Sequence, residues 1–421
     1  MLDLKLLRSD PERVRTALAR RGAADSVDEL LALDERRREL LPEIEGARSE
    51  RKQASERIGA AKKAGEDAEE AIAAVKELKL RMEILEKELE EVETRRDSLA
   101  VSLPNLPDPT SPDGFTDEDA VMIREVGEPP EFGFEPKDHL EICEPTGMID
   151  MEAAARVSGS RFAYIKGDLV MLELALVRYA LETVREYGHE PVVPPILVRE
   201  EALFGTGFLP GDRDQIYELP KDELFLVGTS EVPLAAMHAD SILDAGQLPL
   251  RYAGFSTCFR REAGAAGRDT RGIFRVHQFD KVEMFSFVPP EMAADEHERI
   301  LGIEERLLSE LGLPYRVVDV AVGDLGSSAA KKFDCEAWIP SQNRYRELTS
   351  CSNTTDYQAR RLGCRYRAEP EGAPQFLNTL NGTAIAVGRT LIALLENHQR
   401  EDGTVVVPDV LRSHGAPETI G

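Results

Sequence analysis

The sequence predicts an α+β protein, in which a long antiparallel helical hairpin precedes a domain with a mostly antiparallel sheet flanked by helices. Residues 26–102 contain almost no aromatic residue and alternate densely between Glu, Lys, Arg, Ala and Leu. After residue 130, segments rich in aromatic and β-branched residues succeed one another as they do in hairpins. Two regions of such different composition predict two structural units.

Composition restricts the class of protein. The chain has 421 residues, a net charge of −26 and a sequence pI of about 4.8, which argues against indiscriminate nucleic-acid binding and against a DNA partner. Its N-terminus already carries acidic residues, and the longest apolar run, 169–181, is interrupted by charges, so we expect neither a signal peptide nor a membrane span. Five cysteines without a C-x-x-C spacing predict reduced thiols and no structural zinc. We therefore expect a soluble, cytoplasmic protein.

The helical hairpin is predicted by two apolar seams. The second seam is sharply periodic and the first is weaker, and Gly65 separates them. Two helices of roughly 30 residues would form an arm about 45 Å long. Pro42 and Gly46 should bend the first helix or delay its start. The second seam is Val75, Leu78, Met82, Leu85, Leu89, Val92 and Leu99, and the first is Leu33, Leu40, Ile44, Ala47, Ala54 and Ile58.

The role of this arm is open on these residues alone. A projecting coiled coil is commonly a dimerisation element or a spacer, but it can also reach a large partner. Basic residues gather toward the tip of its first helix, which fits contact with an RNA backbone. They are Arg48, Arg51, Lys52, Arg57, Lys62 and Lys63.

We place the domains at 1–102 (N-terminal, with the arm), 103–130 (a proline-rich linker and connecting segment) and 131–421 (the sheet domain). A short helix should precede the arm, starting at 9–12. In the sheet domain we predict a helix over 168–187, then a proline-containing strand over 191–198 that must lie at an edge or interface. A closing helix is predicted over 383–399. The remaining predicted strands are 224–227, 250–259, 274–287, 315–322, 332–339 and 344–350.

The segment 259–283 carries the strongest functional signal. It reads as two Arg-rich strands around a Gly/Ala loop, so Arg260 and Glu262 should share one face of the sheet. Arginine, glutamate and an aromatic ring on one face offer contacts for phosphate, for an amine and for a base. A charged, solvated hairpin is the alternative. Four further segments accompany it, at 158–167, 228–231, 346–353 and 381–389.

Together these segments resemble the bacterial-type seryl-tRNA synthetases, which are class II aminoacyl-tRNA synthetases with an N-terminal coiled-coil arm. The helix leading to Pro194 resembles the family's first motif, at a dimer interface. The stretch 259–283 resembles the second motif, which is highly specific. Gly388 and Arg389 resemble the third, which would carry no weight alone. The resemblance covers essentially the whole chain and implies a class II catalytic domain at 131–421 and a tRNA-binding domain at 1–102.

The resemblance implies an ATP site. Arg260 would grip the α-phosphate and the serine carboxylate, and Glu262 would accept from the adenine amino group. Phe279 and Arg389 would sandwich the adenine ring, and Glu347 and Ser350 would ligate Mg²⁺. The catalytic residues would be Arg260, Glu347 and Arg389. The full set of ATP-binding residues would be Arg260, Arg261, Glu262, Arg271, Val276, Phe279, Glu347, Leu348, Thr349, Ser350 and Arg389.

The resemblance also implies a serine site. Thr229 and Glu231 would receive the α-ammonium group, and Glu283 and Thr383 would hydrogen-bond the hydroxyl. Its residues would be Thr229, Ser230, Glu231, Arg260, Glu283, Asn381 and Thr383. The expected activity is that of a homodimeric, ATP-dependent serine–tRNA ligase, which charges tRNA(Ser) and also tRNA(Sec).

Two alternatives remain open. A paralogue could activate serine for an acceptor other than tRNA, or the chain could be a specialised copy for biosynthesis or self-resistance. A coiled-coil protein with an inactive synthetase domain is disfavoured, because the set of site residues is complete. The class I synthetase motifs and G-x-x-x-x-G-K-[ST] are absent from the sequence, which supports neither a class I synthetase nor a P-loop NTPase.

Overall fold

The computed structural model describes residues 1–65, 67–264, 267, 269 and 271–421. The described chain divides by its contacts into a helical unit, Leu2–Pro104, and a larger unit of Met1 and Asn105–Gly421. No helix of the described residues is long and apolar enough to cross a membrane.

The helical unit consists of two short helices followed by two long ones. The predicted start signal is confirmed: Pro11 is the first residue of the second helix, and the Asp10 carboxylate accepts from the backbone N–H of Arg13 at 3.2 Å. The helices are α1 (Leu4–Ser9), α2 (Pro11–Ala19), α3 (Asp25–Ala64) and α4 (Glu69–Ser102).

The long helices α3 and α4 pack along each other, which confirms the predicted hairpin. Leu40, Ile44 and Leu85 are buried between them, with Leu89 and Val92 packed against this cluster. Ion pairs that cross the seam join early residues of α3 to late residues of α4, as antiparallel helices require. These pairs are Arg36–Glu88, Arg37–Glu93 and Arg48–Glu86, each at 2.7 Å.

Gly65 and Pro42 were among the residues expected to interrupt the helices of the arm. Gly65 ends α3 in the left-handed conformation, with φ of 77°, where glycine carries no steric penalty. The expectation that Pro42 would delay the first helix is wrong, because α3 begins at Asp25 and continues through Pro42.

The larger unit is built on an eight-stranded sheet of order β1-β11-β12-β13-β16-β10-β9-β4 within the described residues. Every pairing in it is antiparallel except that of β4 with β9, which confirms the mostly antiparallel prediction. The strands are β1 (Val121–Val126), β2 (Ile149–Asp150), β3 (Tyr164–Ile165), β4 (Glu190–Val192), β5 (Leu197–Val198), β6 (Tyr217–Leu219), β7 (Leu224–Leu226), β8 (Ile242–Asp244), β9 (Leu250–Phe259), β10 (Gln278–Val288), β11 (Tyr315–Asp319), β12 (Lys331–Ile339), β13 (Arg344–Asn353), β14 (Arg365–Arg367), β15 (Gln375–Phe376), β16 (Asn378–Ala386), β17 (Val405–Val406) and β18 (Thr419–Ile420).

Helices cover this sheet and form the core with it. Three amphipathic helices, α7, α10 and α12, bury their apolar sides against the central strands. The helices are α5 (His139–Cys143), α6 (Met151–Ser158), α7 (Asp168–Glu186), α8 (Glu200–Thr206), α9 (Glu231–Ala236), α10 (Ala293–Glu310), α11 (Tyr357–Leu362), α12 (Val387–Asn397) and α13 (Asp409–Arg412).

Several predicted elements differ from the structure. The strand predicted over 191–198 is two short strands in different sheets, β4 (Glu190–Val192) and β5 (Leu197–Val198), because Pro194 and Pro195 between them have no backbone N–H to donate. The strand predicted over 315–322 ends at Asp319.

The second strand of the 259–283 hairpin was expected from residue 274, but β10 begins at Gln278, because its pairing with β9 starts only where Gln278 meets Phe259, the last residue of β9. The closing helix was expected from residue 383. Instead Asn378–Ala386 forms the central strand β16, and α12 begins only at Val387.

The proline-rich segment after the arm belongs to the larger unit. The buried Asn105 side chain donates to the carbonyls of Ser328 and Thr354, at 2.9 and 2.8 Å. Val121–Val126 then forms the edge strand β1 on β11. The domain bounds 1–102, 103–130 and 131–421 stay a prediction, and contacts alone divide the chain at Pro104 and Asn105.

Candidate active site

Two adjoining cavities lie over strands β10, β13 and β16, and they contain most of the predicted site residues. The first cavity is lined by Arg260, Glu262, Ile273, Phe274, Arg275, Val276, Phe279, Lys281, Glu347, Leu348, Ser350, Thr383, Ala386, Gly388 and Arg389. The second cavity shares Arg260, Lys281, Glu347, Ser350 and Thr383 with the first, and its further lining includes Thr206, Thr229, Glu231, Glu283, Lys332, Ser352 and Asn381.

A bulge in β13 brings Glu347 and Ser350 to the same side. In a regular strand, residues three apart point to opposite faces. Here Glu347 pairs with Glu336 and Thr349 with Cys335, so Leu348 is an extra residue in the ladder. The extra residue shifts the alternation of side chains between the two faces of the sheet by one position. The side chains of Glu347 and Ser350 therefore point to the same side and line both cavities.

A second bulge, in β16, aligns Thr383 with Glu283. Lys281 pairs with Ala386, but Glu283 pairs with Thr383, so the ladder shifts between them. The Thr383 hydroxyl then donates to Glu283 Oε2 at 3.2 Å, and the Lys281 ammonium forms a close ion pair with the same oxygen. All three side chains are buried, and they present a hydroxyl and a carboxylate to the second cavity.

Arg260 stands where the two cavities meet. It directly follows the last residue of β9, and its Nε donates to the carbonyl of Gly228 at 3.2 Å. Its guanidinium carbon lies 5.2 Å from the centre of the Phe279 ring, a cation–π contact that limits its freedom. The cation is therefore held at a place from which it reaches groups in either cavity.

Glu347 is held by cations. Arg389 Nη1 donates to the Glu347 carbonyl at 2.9 Å and lies 3.3 Å from its carboxylate. Removal from water would raise the pKa of Glu347, but the charges of Lys332 and Arg389 outweigh this and lower the pKa to about 2. Glu347 is therefore a carboxylate throughout the neutral range and can act as an anionic ligand.

His139 holds the segment that precedes β10 in place. His139 Nε2 accepts from the backbone N–H of Ile273 at 3.3 Å, and its Nδ1 lies 3.1 Å from the buried Glu396 carboxylate. A Cβ on Gly272 would lie 2.0 Å from His139 Nε2, so only glycine permits this approach. These contacts fix Ile273 and Phe274, which line the first cavity.

Glu231 closes the far side of the second cavity. Its Oε1 accepts from Asn381 Nδ2 at 3.0 Å and from Gln358 Nε2 at 2.7 Å. Burial, and then the charge of Glu283, raise the pKa of Glu231 to about 7. The lining of this cavity carries four carboxylates (Asp212, Glu231, Glu283 and Glu347) against three cations (Arg260, Lys281 and Lys332), which favours a ligand that brings a positive charge.

Four predicted site residues do not line either cavity. Arg261 packs over the Tyr217 ring, Arg271 pairs with Asp138 at 3.1 Å, and the Ser230 hydroxyl donates to the Gly254 carbonyl. Thr349 lies on the other side of β13, where its hydroxyl donates to Glu304 at 2.8 Å. Their roles in binding ATP or serine stay predictions.

Several cavity residues were not predicted from the sequence, among them Phe274 and Lys332. Phe274 lies under the Arg389 guanidinium, 4.8 Å from the ring centre. Lys332 stands beside Glu347 and lowers its pKa. The strand pattern placed each residue in or beside a strand, but only the pairing of β12 with β13 puts Lys332 near the site.

Comparisons with known proteins fit this geometry. Residues 216–398 match the model of the tRNA synthetase class II core domain (G, H, P, S and T), and residues 1–107 match the seryl-tRNA synthetase N-terminal domain. The serine–tRNA ligase of Acidothermus cellulolyticus is 52% identical over 415 residues, covering 98% of each chain. The chain belongs to the seryl-tRNA synthetase family. A further member, from Thermobifida fusca, is 49% identical over 98% of this chain and 97% of its own.

Two solved structures of seryl-tRNA synthetases resemble this chain over its full length. A seryl-tRNA synthetase from Pyrococcus horikoshii, complexed with ATP, has a TM-score of 0.93 and 44% identity, covering 100% of this chain and 99% of its own. The cytoplasmic enzyme of Naegleria fowleri, in complex with AMP, has a TM-score of 0.89 and 32% identity, covering 100% and 98%. The chain therefore combines the class II core of a seryl-tRNA synthetase with the family's N-terminal helical domain.

Proposed function

We propose that this protein is a serine–tRNA ligase that forms seryl-adenylate from L-serine and ATP and then transfers serine to tRNA. The second cavity carries the proposal. Its lining includes Glu231, which suits an ammonium group, and the Glu283–Thr383 pair, which suits a hydroxyl group. Arg260 lies at the junction with the first cavity, where the carboxylate of such a ligand would meet a phosphate.

The activation step follows from these positions. The serine carboxylate attacks the α-phosphorus of ATP, a carboxyl-oxygen–phosphorus bond forms, and the bond to the β-phosphate breaks and releases pyrophosphate. No general base is required, because the nucleophile is already ionised. Arg260 stabilises the negative charge that builds up between the two reactants. Phe279 and Arg389 hold the adenine ring from its two faces.

Mg²⁺ fits the first cavity as a partner of ATP. No group of three or more His, Cys, Asp or Glu residues in the described chain could hold a metal by itself. Glu347 and Ser350 supply a carboxylate and a hydroxyl on one side of β13, which suit a hard cation that also takes oxygens from phosphates. When bound, the ion neutralises phosphate charge. We therefore assign Glu347 and Ser350 as its protein ligands.

The second step joins serine to the 3′ end of tRNA(Ser) and also of tRNA(Sec). The exposed basic residues of α3, among them Arg51, Lys52 and Arg57, suit an RNA backbone. A homodimer is supported by exposed apolar side chains on α7 and after β4, where Met171, Leu174 and Val193 are 48%, 55% and 82% exposed. The arm of one subunit would bind a tRNA that is charged by the other, in the cytoplasm.

Amino-acid discrimination tests the proposal. The protein should catalyse serine-dependent exchange between ATP and labelled pyrophosphate, and should reject alanine by a factor of about 10⁴ in kcat/KM, because alanine has no hydroxyl group to hydrogen-bond with Glu283 and Thr383. Threonine should be excluded by its extra methyl group. Exchange that is equally fast with alanine and serine would contradict the assignment of the Glu283–Thr383 pair.

Serine binding should weaken as the pH falls. Glu231, with its pKa raised to about 7, must be ionised to receive the ammonium group of serine. The charge of Glu283 raises the pKa of Glu231 and the charges of Lys281 and Arg260 lower it. These effects partly cancel, so the pKa is raised mainly by burial. Below pH 7, kcat/KM for serine should fall by up to about tenfold per pH unit.

The measurement is the exchange rate at limiting serine between pH 5.5 and 8.5, with the KM for ATP followed in parallel. Glu231→Gln is the control, since an amide does not titrate in this range. A wild-type profile that matches the profile of this variant would exclude Glu231 as the titrating group.

A further inference from the structure

Gln358 is a buried polar residue beside the second cavity that the activation step does not use. It lies in the first turn of α11 and has no exposed surface. It does not line either cavity, so it cannot touch a ligand there. Its amide nevertheless bonds directly to Glu231.

The surroundings of Gln358 leave one orientation for its amide. Nε2 donates to Glu231 Oε1 at 2.7 Å and to the carbonyl of Thr206 at 3.1 Å. A carbonyl can only accept, so a flipped amide would set oxygen against oxygen. At the other end, Oε1 accepts from the Thr379 hydroxyl at 2.8 Å, and the Thr354 hydroxyl oxygen lies 3.3 Å away.

The two threonines are themselves fixed. Their hydroxyl oxygens are 2.6 Å apart, and the Thr354 hydroxyl also lies 2.7 Å from the Thr379 carbonyl. Both side chains are fully buried, on strand β16 and in the turn after β13. The network therefore runs from the central sheet through Gln358 to Glu231, with every donor matched to an acceptor.

The network determines which oxygen of Glu231 serves a ligand. Gln358 and Asn381 both donate to Oε1, and within the described chain no hydrogen bond reaches Oε2. Oε2 is therefore the oxygen available to an ammonium group. The Gln358 hydrogen bond also lowers the pKa of Glu231 and so favours its ionised form, against the larger opposing effect of burial.

We infer that Gln358 is a positioning residue for amino-acid recognition, which holds the Glu231 carboxylate in the orientation that receives the α-ammonium group of the substrate. The inference rests on the proposed function, since it concerns the same pocket. Because Gln358 acts through Glu231 and does not line the first cavity, which contains Phe279 and Arg389, its loss should weaken serine binding and spare ATP binding.

Gln358→Met tests the inference, because methionine fills similar space and has no amide. The KM for serine in pyrophosphate exchange should rise by about ten- to a hundredfold, the range expected when a hydrogen bond to a charged group is removed. The KM for ATP should change by less than about twofold, and the pH midpoint for serine should move upward because Glu231 loses a donor.

Gln399→Met is the matched control. Gln399 is also buried, and its amide makes three hydrogen bonds, but these go to the backbone of Lys137 and Glu396. This variant should lose stability while its KM for serine stays at the wild-type value. Equal rises in the KM for serine in both variants, or joint rises in the KM values for serine and ATP, would overturn the inference.

Thr379→Val keeps the test decisive if Gln358→Met does not fold. It removes the donor that fixes the amide but preserves side-chain volume, so the KM for serine should rise by a smaller factor, about three- to tenfold. A folded Thr379→Val protein with wild-type KM for serine would contradict the inference. Wild-type protein without serine-dependent exchange would instead refute the proposed function, so the two failures are distinguishable.

Discussion

Replacing Arg260 with alanine is expected to lower the rate of seryl-adenylate formation by a factor of about 10³ or more. Arg260 is a cation that lines both cavities, and it is held there by Gly228 and Phe279. Without it, two anions must approach each other with one positive charge fewer between them. Pyrophosphate exchange at saturating serine and ATP measures this effect, and tRNA binding by filter retention should stay nearly unchanged.

Arg213→Ala is the control for this variant. Arg213 also lies over an aromatic ring, 5.5 Å from the centre of Phe225, but it lines neither cavity and pairs with Glu200 and Glu218 at the surface. Its loss should leave exchange within about twofold, since exposed ion pairs contribute little. Unchanged activation kinetics in the Arg260→Ala protein would contradict the assignment of the site.

Deleting the arm should have the opposite effect. With residues 35–95 replaced by a short glycine linker, pyrophosphate exchange should persist, because both cavities are built from the larger unit. Charging of tRNA at limiting tRNA should fall by about a hundredfold or more, since the cations of the arm would no longer bind tRNA phosphates. Exchange and aminoacylation assays on the same preparation measure the two outcomes.

Charge neutralisation controls for the deletion. Changing Arg51, Lys52 and Arg57 to glutamine should weaken tRNA binding and lower the slope of its salt dependence by about one unit for each phosphate-binding cation that is neutralised. Lys79 and Lys87 on α4 already pair with Glu83 and Glu91, so the same change there should have little effect. An arm-deleted protein that charges tRNA normally would rule out the arm as a tRNA-binding element.

Strong periodic patterns made much of the fold predictable. The a/d seams predicted the helical hairpin, and the aromatic and β-branched run at 250–259 predicted a strand with the bounds of β9. The strand β16 was missed because its sequence, NTLNGTAIA, is rich in Asn, Gly and Thr and runs directly into an apolar helix. This segment becomes a strand only because it pairs with β10 on one side and with β13 on the other.

Site residues that lie within sequence motifs could be predicted. Site residues whose position depends on tertiary contacts could not. Arg260, Glu283 and Arg389 came from the motifs. The bulge at Leu348, which lets Glu347 and Ser350 share a side, has no signal in the sequence. Gln358 was likewise invisible, because it is a single glutamine in a short helix and its importance arises from contacts with Thr206, Glu231 and Thr379.

The most direct test of the central claim is the charging of unfractionated tRNA with labelled serine, ATP and Mg²⁺ by the full-length protein. We predict acid-precipitable serine that depends on ATP and on tRNA, and that disappears after ribonuclease treatment. Serine-dependent pyrophosphate exchange without any charged tRNA, from folded protein, would contradict the account. It would point instead to an enzyme that activates serine for a different acceptor.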